Sequence, residues 1–182
     1  MPLSPPKPRK PVHNRKIEIT GYERDDGLWD IEGFLVDSKA EIFTSHAHDP
    51  IPAGAPLHGM GIRLTIDFDF LIHEAEATTD HAPFAGCFEA APDMAKLKGL
   101  RIGKGFNEEA RRLFAGAAGC THLVEMLVPM ASTAFQTLWP IRQEKGRNDQ
   151  DGKRPKLIDS CHALASDGAV IKRVWPAYYT GP

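Results

Sequence analysis

The stretch RKIEITGYERDDGLWDIEGFLVD (residues 15–37) decides the fold class. In its first third, Ile17 and Ile19 fall on one side and Lys16, Glu18 and Thr20 on the other, the alternation of a half-buried strand. Glu23 to Gly27 reads as a turn, and Trp29, Ile31 and Leu35 then share one face, so residues 15–37 form a β-hairpin. A second alternating pair follows. IRLTIDFDF places Ile62, Leu64, Ile66 and Phe68 on one face, and LIHEAEATTD continues beyond a turn at Asp67 to Asp69. Four antiparallel strands in a meander are expected. Residues 44–61 (TSHAHDPIPAGAPLHGMG), which carry prolines, glycines and histidines without periodicity, read as a loop between the pairs.

After Pro83 the character changes. CFEAAPDMAKLKGL and NEEARRLFAG are rich in helix formers, with Asn107 as an N-cap and Gly116 just past the second segment. Residues 121–138 form the longest helical candidate, with Leu123, Leu127, Met130, Ala134 and Leu138 at helical spacing and Pro129 removing one backbone donor. That face fits a core or a homodimer contact equally well. Strands followed by helices imply an α+β domain, its helices packed on one face of an antiparallel sheet. Asp167-Gly168 marks a tight turn between two short elements near the C-terminus.

The ends and the bulk composition limit the function. Residues 1–14 are rich in proline and basic residues and contain little to bury, which reads as a flexible arm ahead of a single domain over 15–182. Within that domain, 143–155 is polar and charged, an exposed loop. A formal charge of -2, with both signs interspersed, gives no footprint for nucleic acid or an anionic membrane. No apolar run approaches the roughly 18 residues of a spanning helix, and no signal-peptide core precedes the first strand, so a cytoplasmic location is expected. Three cysteines in a chain of 182 residues do not make a disulfide framework.

The chemistry-bearing residues gather at element ends. Cys120 and His122 stand in GCTHL, at the start of the longest helix, where unpaired backbone N–H groups stabilise a thiolate and an imidazole adds a base or a second ligand. Cys87 (HAPFAGCFEAA) and Cys161 with His162 (DSCHA) occupy similar boundaries, and His58 precedes the third strand. A shared metal site is one reading, and cysteines packed as small hydrophobes the other. His46 and His48 read as solvated loop residues, His73 and His81 have no partner in the sequence, and Asp67, Asp69, Glu74 and Glu76 read as the wet side of a strand pair. Gly103 and Gly105 lack the frame of a phosphate loop, and neither a nucleophile elbow nor a dinucleotide fingerprint is present.

Taken together, ITGYERDDGLWDIEGFLVDSK, IRLTID, GLRIGKGF, GCTHLVEML and DSCHALASDG resemble an uncharacterised bacterial family known only as a domain of unknown function. The order of GAPLHGMGIRLTIDFDF, HAPFAGCFEAA, LKGLRIGK and GCTHLVEML is also similar to the U-type iron-sulfur cluster assembly scaffolds. That resemblance implies a helix-on-sheet fold, with His58, Cys87 and Cys120 at the three ligand positions. It departs at the first ligand, a histidine here, and at Gly59 and Met60, where an acidic residue belongs.

The expected function is therefore a small metal-binding protein. A His/Cys site of His58, Cys87, Cys120 and His122, completed by Cys161 or His162, would bind zinc or iron and act on a small organic substrate, with Cys120 and His122 as the catalytic pair. One alternative is a metal-free lyase, decarboxylase or hydrolase of a small aromatic or organic acid, with Arg63 or Arg101 orienting the carboxylate. Another is an iron-sulfur or metal carrier that docks a protein partner through the basic arm.

Overall fold

The computed structural model describes residues 3–144 and 154–182. The chain divides into two compact units, Met1–Thr137 and Leu138–Pro182. The first holds a four-stranded antiparallel sheet built from β1 (His13–Glu23), β2 (Trp29–Lys39), β5 (Pro56–Ile66) and β6 (Ile72–His81), paired in that order. The meander is as expected, and the fold is α+β.

The sequence separating β2 from β5 is not a plain loop. It contains a small hairpin of β3 (Phe43–Ser45) and β4 (His48–Ile51). Pro50 sits within β4 between the two paired positions of that ribbon, Ser45 with His48 and Phe43 with Ile51. β5 also begins earlier than the alternation indicates, so His58 and Met60 belong to the strand itself. The arm is shorter by two residues, because His13 and Asn14 pair with Lys39 and Ser38 at the start of β1.

The inner face of the sheet follows period two. On β2 it carries Trp29, Ile31, Gly33, Leu35 and Asp37, all buried; on β5 it carries Met60, Ile62, Leu64 and Ile66. The edge strand β1 is mostly exposed, with Ile17 at 41%. The opposite face is wet, as an antiparallel sheet allows. There Arg63 spans Glu32 and Glu76 on the neighbouring strands, 2.7 Å to each.

Between β5 and β6, Asp67 builds its own turn. Its carboxylate accepts the N–H groups of Asp69 and Leu71 at 2.8 and 3.0 Å, and Phe70 takes a left-handed φ of 65°. The segment expected as a first helix consists of two 3-10 turns, Ala85–Ala90 and Pro92–Leu97. Pro92, Asp93 and the absence of a side-chain cap break what would be one helix. α1 (Phe106–Leu113) is preceded by Gly105 at φ 87°, not by Asn107, because the sharp turn into the helix needs a left-handed residue.

α2 (Thr121–Glu144) is longer than its apolar spacing indicates and runs through Pro129. Leu123, Leu127, Met130, Ala134 and Leu138 are all buried. Thr133 donates its hydroxyl to the Pro129 carbonyl at 3.0 Å, and Thr137 donates to that of Thr133 at 2.8 Å. The helix lies against the sheet because two inward positions have no side chain. A Cβ on Gly33 would stand 3.0 Å from Met130 Sδ, and one on Gly21 would stand 2.0 Å from Thr137 Oγ1. Gly21→Ala should therefore cost about 1–3 kcal/mol, as overpacking does. Thr137→Ala in the same chain should recover part of it in chemical denaturation, because it removes Oγ1 and Cγ2 but leaves the Cβ, 2.9 Å away. An additive double mutant would refute this contact.

In the second unit, Asp159 organises the chain. Its carboxylate accepts the Ser166 N–H at 2.8 Å and pairs with Arg154, ahead of the 3-10 turn His162–Leu164 and α3 (Ala169–Val174). Of the expected loop 143–155, Gln143 and Glu144 end α2, and residues 145–153 lie outside the described residues.

Candidate metal centre

The inner-face pattern of β2 ends on a charge. Asp37 continues the buried series Trp29, Ile31, Leu35, and its side chain is only 1% exposed. Burying a carboxylate without partners would be costly, so the neighbouring strands supply them. Arg15 on β1 and His58 on β5 are the residues directly opposite Asp37 in register, so the three make one row across the sheet. Arg15 grips the carboxylate with two parallel bonds, Nε to Oδ1 at 2.8 Å and Nη2 to Oδ2 at 2.7 Å. His58 Nδ1 lies 3.1 Å from Oδ2, and His13 Nε2 lies 3.4 Å from Oδ1.

The first turns of α2 close over this row. Glu125 takes the third Arg15 nitrogen, Nη1, at 2.7 Å, so one guanidinium joins sheet and helix. The His122 ring lies against that of His58, with centroids 3.9 Å apart and planes tilted by 32°, and its Nε2 stands 3.8 Å from Asp37 Oδ2. On its other side, His122 Nδ1 is 3.8 Å from Cys120 Sγ. Asp37, His58 and His122 thus bring three ligand atoms within 4.8 Å of one another.

Charge and burial fix the protonation of two of these groups. Burial alone pushes the Asp37 carboxyl up, but the Arg15 bonds and charge, the His58 contact and the His13 charge outweigh it and hold the pKa at about 2. His122 is pushed down, first by burial and then by His58 and Arg15, against the pull of Asp37 and Glu125. At neutral pH the site therefore offers an ionised carboxylate and a neutral imidazole, the forms a metal requires.

The Asp37 value has a measurable consequence. A carboxylate held at about 2, against an ordinary 3.8, contributes roughly 2 kcal/mol that is complete above about pH 4 and is lost between about pH 4 and pH 2. Arg15→Gln should move that loss to higher pH, read as the urea midpoint across a pH series. An acid transition unmoved by the substitution would show that Arg15 does not hold Asp37 ionised.

The other expected site residues fall as follows. His58, Cys120 and His122 come together. Cys87, half-buried in the turn Ala85–Ala90, does not join the group of potential metal ligands. Cys161 is exposed and belongs with His162 to the second unit. Cys120 caps α2 with its backbone, its carbonyl accepting the Val124 N–H at 3.0 Å. Arg63 and Arg101 are engaged elsewhere, Arg63 on the outer face and Arg101 at the Asp69 carbonyl. His73 has a partner after all, Asp67 Oδ2 at 3.0 Å. His48 packs against the rings of Phe43 and Phe84, while His46 is exposed in the hairpin turn.

Residues 13–136 match the model of a family described as a protein of unknown function, DUF2889. The chain belongs to that family. The match begins at the first residue of β1 and includes every member of the cluster, from His13 to Glu125, while Cys161 and His162 lie beyond it. No curated protein and no solved structure matches the chain.

Asp37 and Arg15 are absent from the expected site, yet both carry a legible signal. Asp37 shares the parity of Trp29, Ile31 and Leu35, and Arg15 that of Ile17 and Ile19. A charged residue on an apolar face must find partners there.

Proposed function

We propose that this protein binds a divalent transition metal, zinc or iron(II), through Asp37, His58 and His122, and acts on a small organic substrate at that ion. The observation that carries the reading is the convergence of two imidazoles on a single oxygen of a buried carboxylate. In a tetrahedral site with bonds of about 2.0–2.1 Å, ligand atoms stand roughly 3.3–3.4 Å apart. The separations from Asp37 Oδ2, 3.1 Å to His58 and 3.8 Å to His122, bracket that span. An ion would take the place of the proton between Asp37 and His58. Arg15, bound to Glu125 as well, would orient the carboxylate from behind.

Two imidazoles and a carboxylate leave coordination positions open, and such an ion polarises a carbonyl or activates water. The imidazoles are accessible enough for that, His58 at 13% and His122 at 23% exposure. A cleft of about 280 Å³, lined by Lys10, Val12, Lys39, Ile42 and Phe43, opens beside the next inward pair, His13 and Lys39. Glu41 also lines it and pairs with Lys10 at 2.9 Å, which leaves Lys39 as the cation available to a small organic acid. A cluster carrier of the scaffold type calls for thiolates at Cys87 and Cys120 instead. The grouping of His58 with Asp37 favours a retained single ion.

Metal analysis of the protein, as purified and after reconstitution with zinc or with iron(II) under nitrogen, tests the reading. One ion per chain, lost in His58→Ala, is the expected result. A chain that retains neither metal rejects it.

A further inference from the structure

His122 presents both ring nitrogens to donor atoms, and the second set differs in kind from the first. Nδ1 faces Cys120 Sγ at 3.8 Å, and that sulfur lies 3.9 Å from Met60 Sδ. Met60 is 2% exposed and follows His58 on the inner face of β5, while Cys120 is fixed by its carbonyl as the cap of α2. The sheet and the start of the helix therefore hold a thioether, a thiol and an imidazole together.

Thiolate and thioether are soft donors that suit copper(I), and a thioether is not among the Cys, His and carboxylate ligands that hold zinc. For three ligands in a plane around one ion, with metal–sulfur bonds of about 2.3 Å and metal–nitrogen bonds of about 2.0 Å, sulfur atoms stand roughly 4.0 Å apart and sulfur and nitrogen roughly 3.8 Å. The observed separations match both. We propose that Cys120, Met60 and His122 form a copper(I) site that shares His122 with the Asp37 site. On binding, the Cys120 thiol loses its proton to solvent and the ion remains copper(I), so no electron is transferred.

The sharing has a consequence. A neutral imidazole has one lone pair. With it on Nε2, toward Asp37, His122 serves the zinc or iron site; with it on Nδ1, toward Cys120, it serves copper(I). The two ions should exclude one another. That exclusion rests on the function proposed above, whereas the copper site does not.

Anaerobic titration with copper(I), buffered by a chromophoric chelator, separates the possibilities. The full-length chain should bind one copper(I). Cys120→Ser and Met60→Leu should each weaken it by at least roughly tenfold, while Asp37→Asn should keep it. Circular dichroism confirms that each variant is folded. In the unsubstituted chain, zinc should raise the apparent copper(I) dissociation constant, and it should not do so in Asp37→Asn. Copper(I) binding that is absent, or equally tight in Cys120→Ser, overturns the copper site and leaves the three residues as packing. Copper binding without any zinc or iron binding would uphold this site while rejecting the proposed function. Simultaneous loading with one copper and one zinc per chain would overturn the exclusion.

Discussion

Asp37→Asn should abolish zinc and iron retention and lower the stability of the metal-free protein by about 2 kcal/mol. The side chain is 1% exposed, and its two oxygens face nitrogens from His13, Arg15, His58 and His122. Asparagine keeps the shape but replaces one accepting oxygen by a donor amide, which must then face Arg15 or His58, themselves donors. Breaking a fully buried ion pair costs more, about 3–5 kcal/mol. Here Arg15 is one-third exposed and keeps Glu125, so water and that second carboxylate offset part of the loss. Urea denaturation reads the stability change and metal analysis the ligand role, and the two can fail separately. Wild-type metal content in the variant would remove Asp37 from the ligand set. An unchanged denaturation midpoint would mean that the Arg15 pair contributes no net stability.

The same residue shows what the sequence did and did not disclose. The hairpin over residues 15–37 was legible because alternation on a half-buried strand is a direct consequence of the pleat, and the pairing of β1 with β2 follows it. Alternation also reaches Asp37, but a carboxylate at the end of an apolar series reads as the start of a turn unless the strand is known to continue to Lys39. Arg15 is similar, since an edge strand with Ile17 exposed gives a weak inward signal. The β3–β4 hairpin was hidden by its prolines and by strands of three and four residues, too short for periodicity to register. The resemblance to cluster scaffolds brought His58 forward, and the register then explained its position by placing it opposite Asp37. The cysteines were grouped by a property that carries no distance information. They were expected at element ends, yet Cys87 lies inside the turn Ala85–Ala90, and Cys120 approaches His122 without joining the group of Asp37, His58 and His122. What assembles the cluster is the close approach of α2 to the sheet at Gly21 and Gly33, which depends on contacts distant in sequence.

Zinc should stabilise the wild-type protein by about 3 kcal/mol at a free concentration roughly a hundred times its dissociation constant, because the unfolded chain does not hold the three ligands together. For a chain of this size that is a rise in melting temperature of roughly 6–12 °C. The effect should depend on pH with a definite sign. His122 has its pKa pushed down in the fold, chiefly by burial and by the neighbouring His58 and Arg15. As pH falls below the ordinary histidine value, the unfolded chain takes up a proton that the folded imidazole refuses, so the metal-free fold loses stability. Bound zinc also competes with protons for the imidazole lone pairs, so its added stabilisation should shrink in the same direction. Asp37, ionised down to about 2, should contribute nothing to this change. Melting curves with and without zinc, from about pH 8 to about pH 5, give the comparison. In His122→Ala the gain should disappear at every pH. A full gain in that variant would place the zinc on other side chains, such as exposed Cys161. A wild-type gain that does not change with pH would mean that carboxylates, not imidazoles, bind the ion.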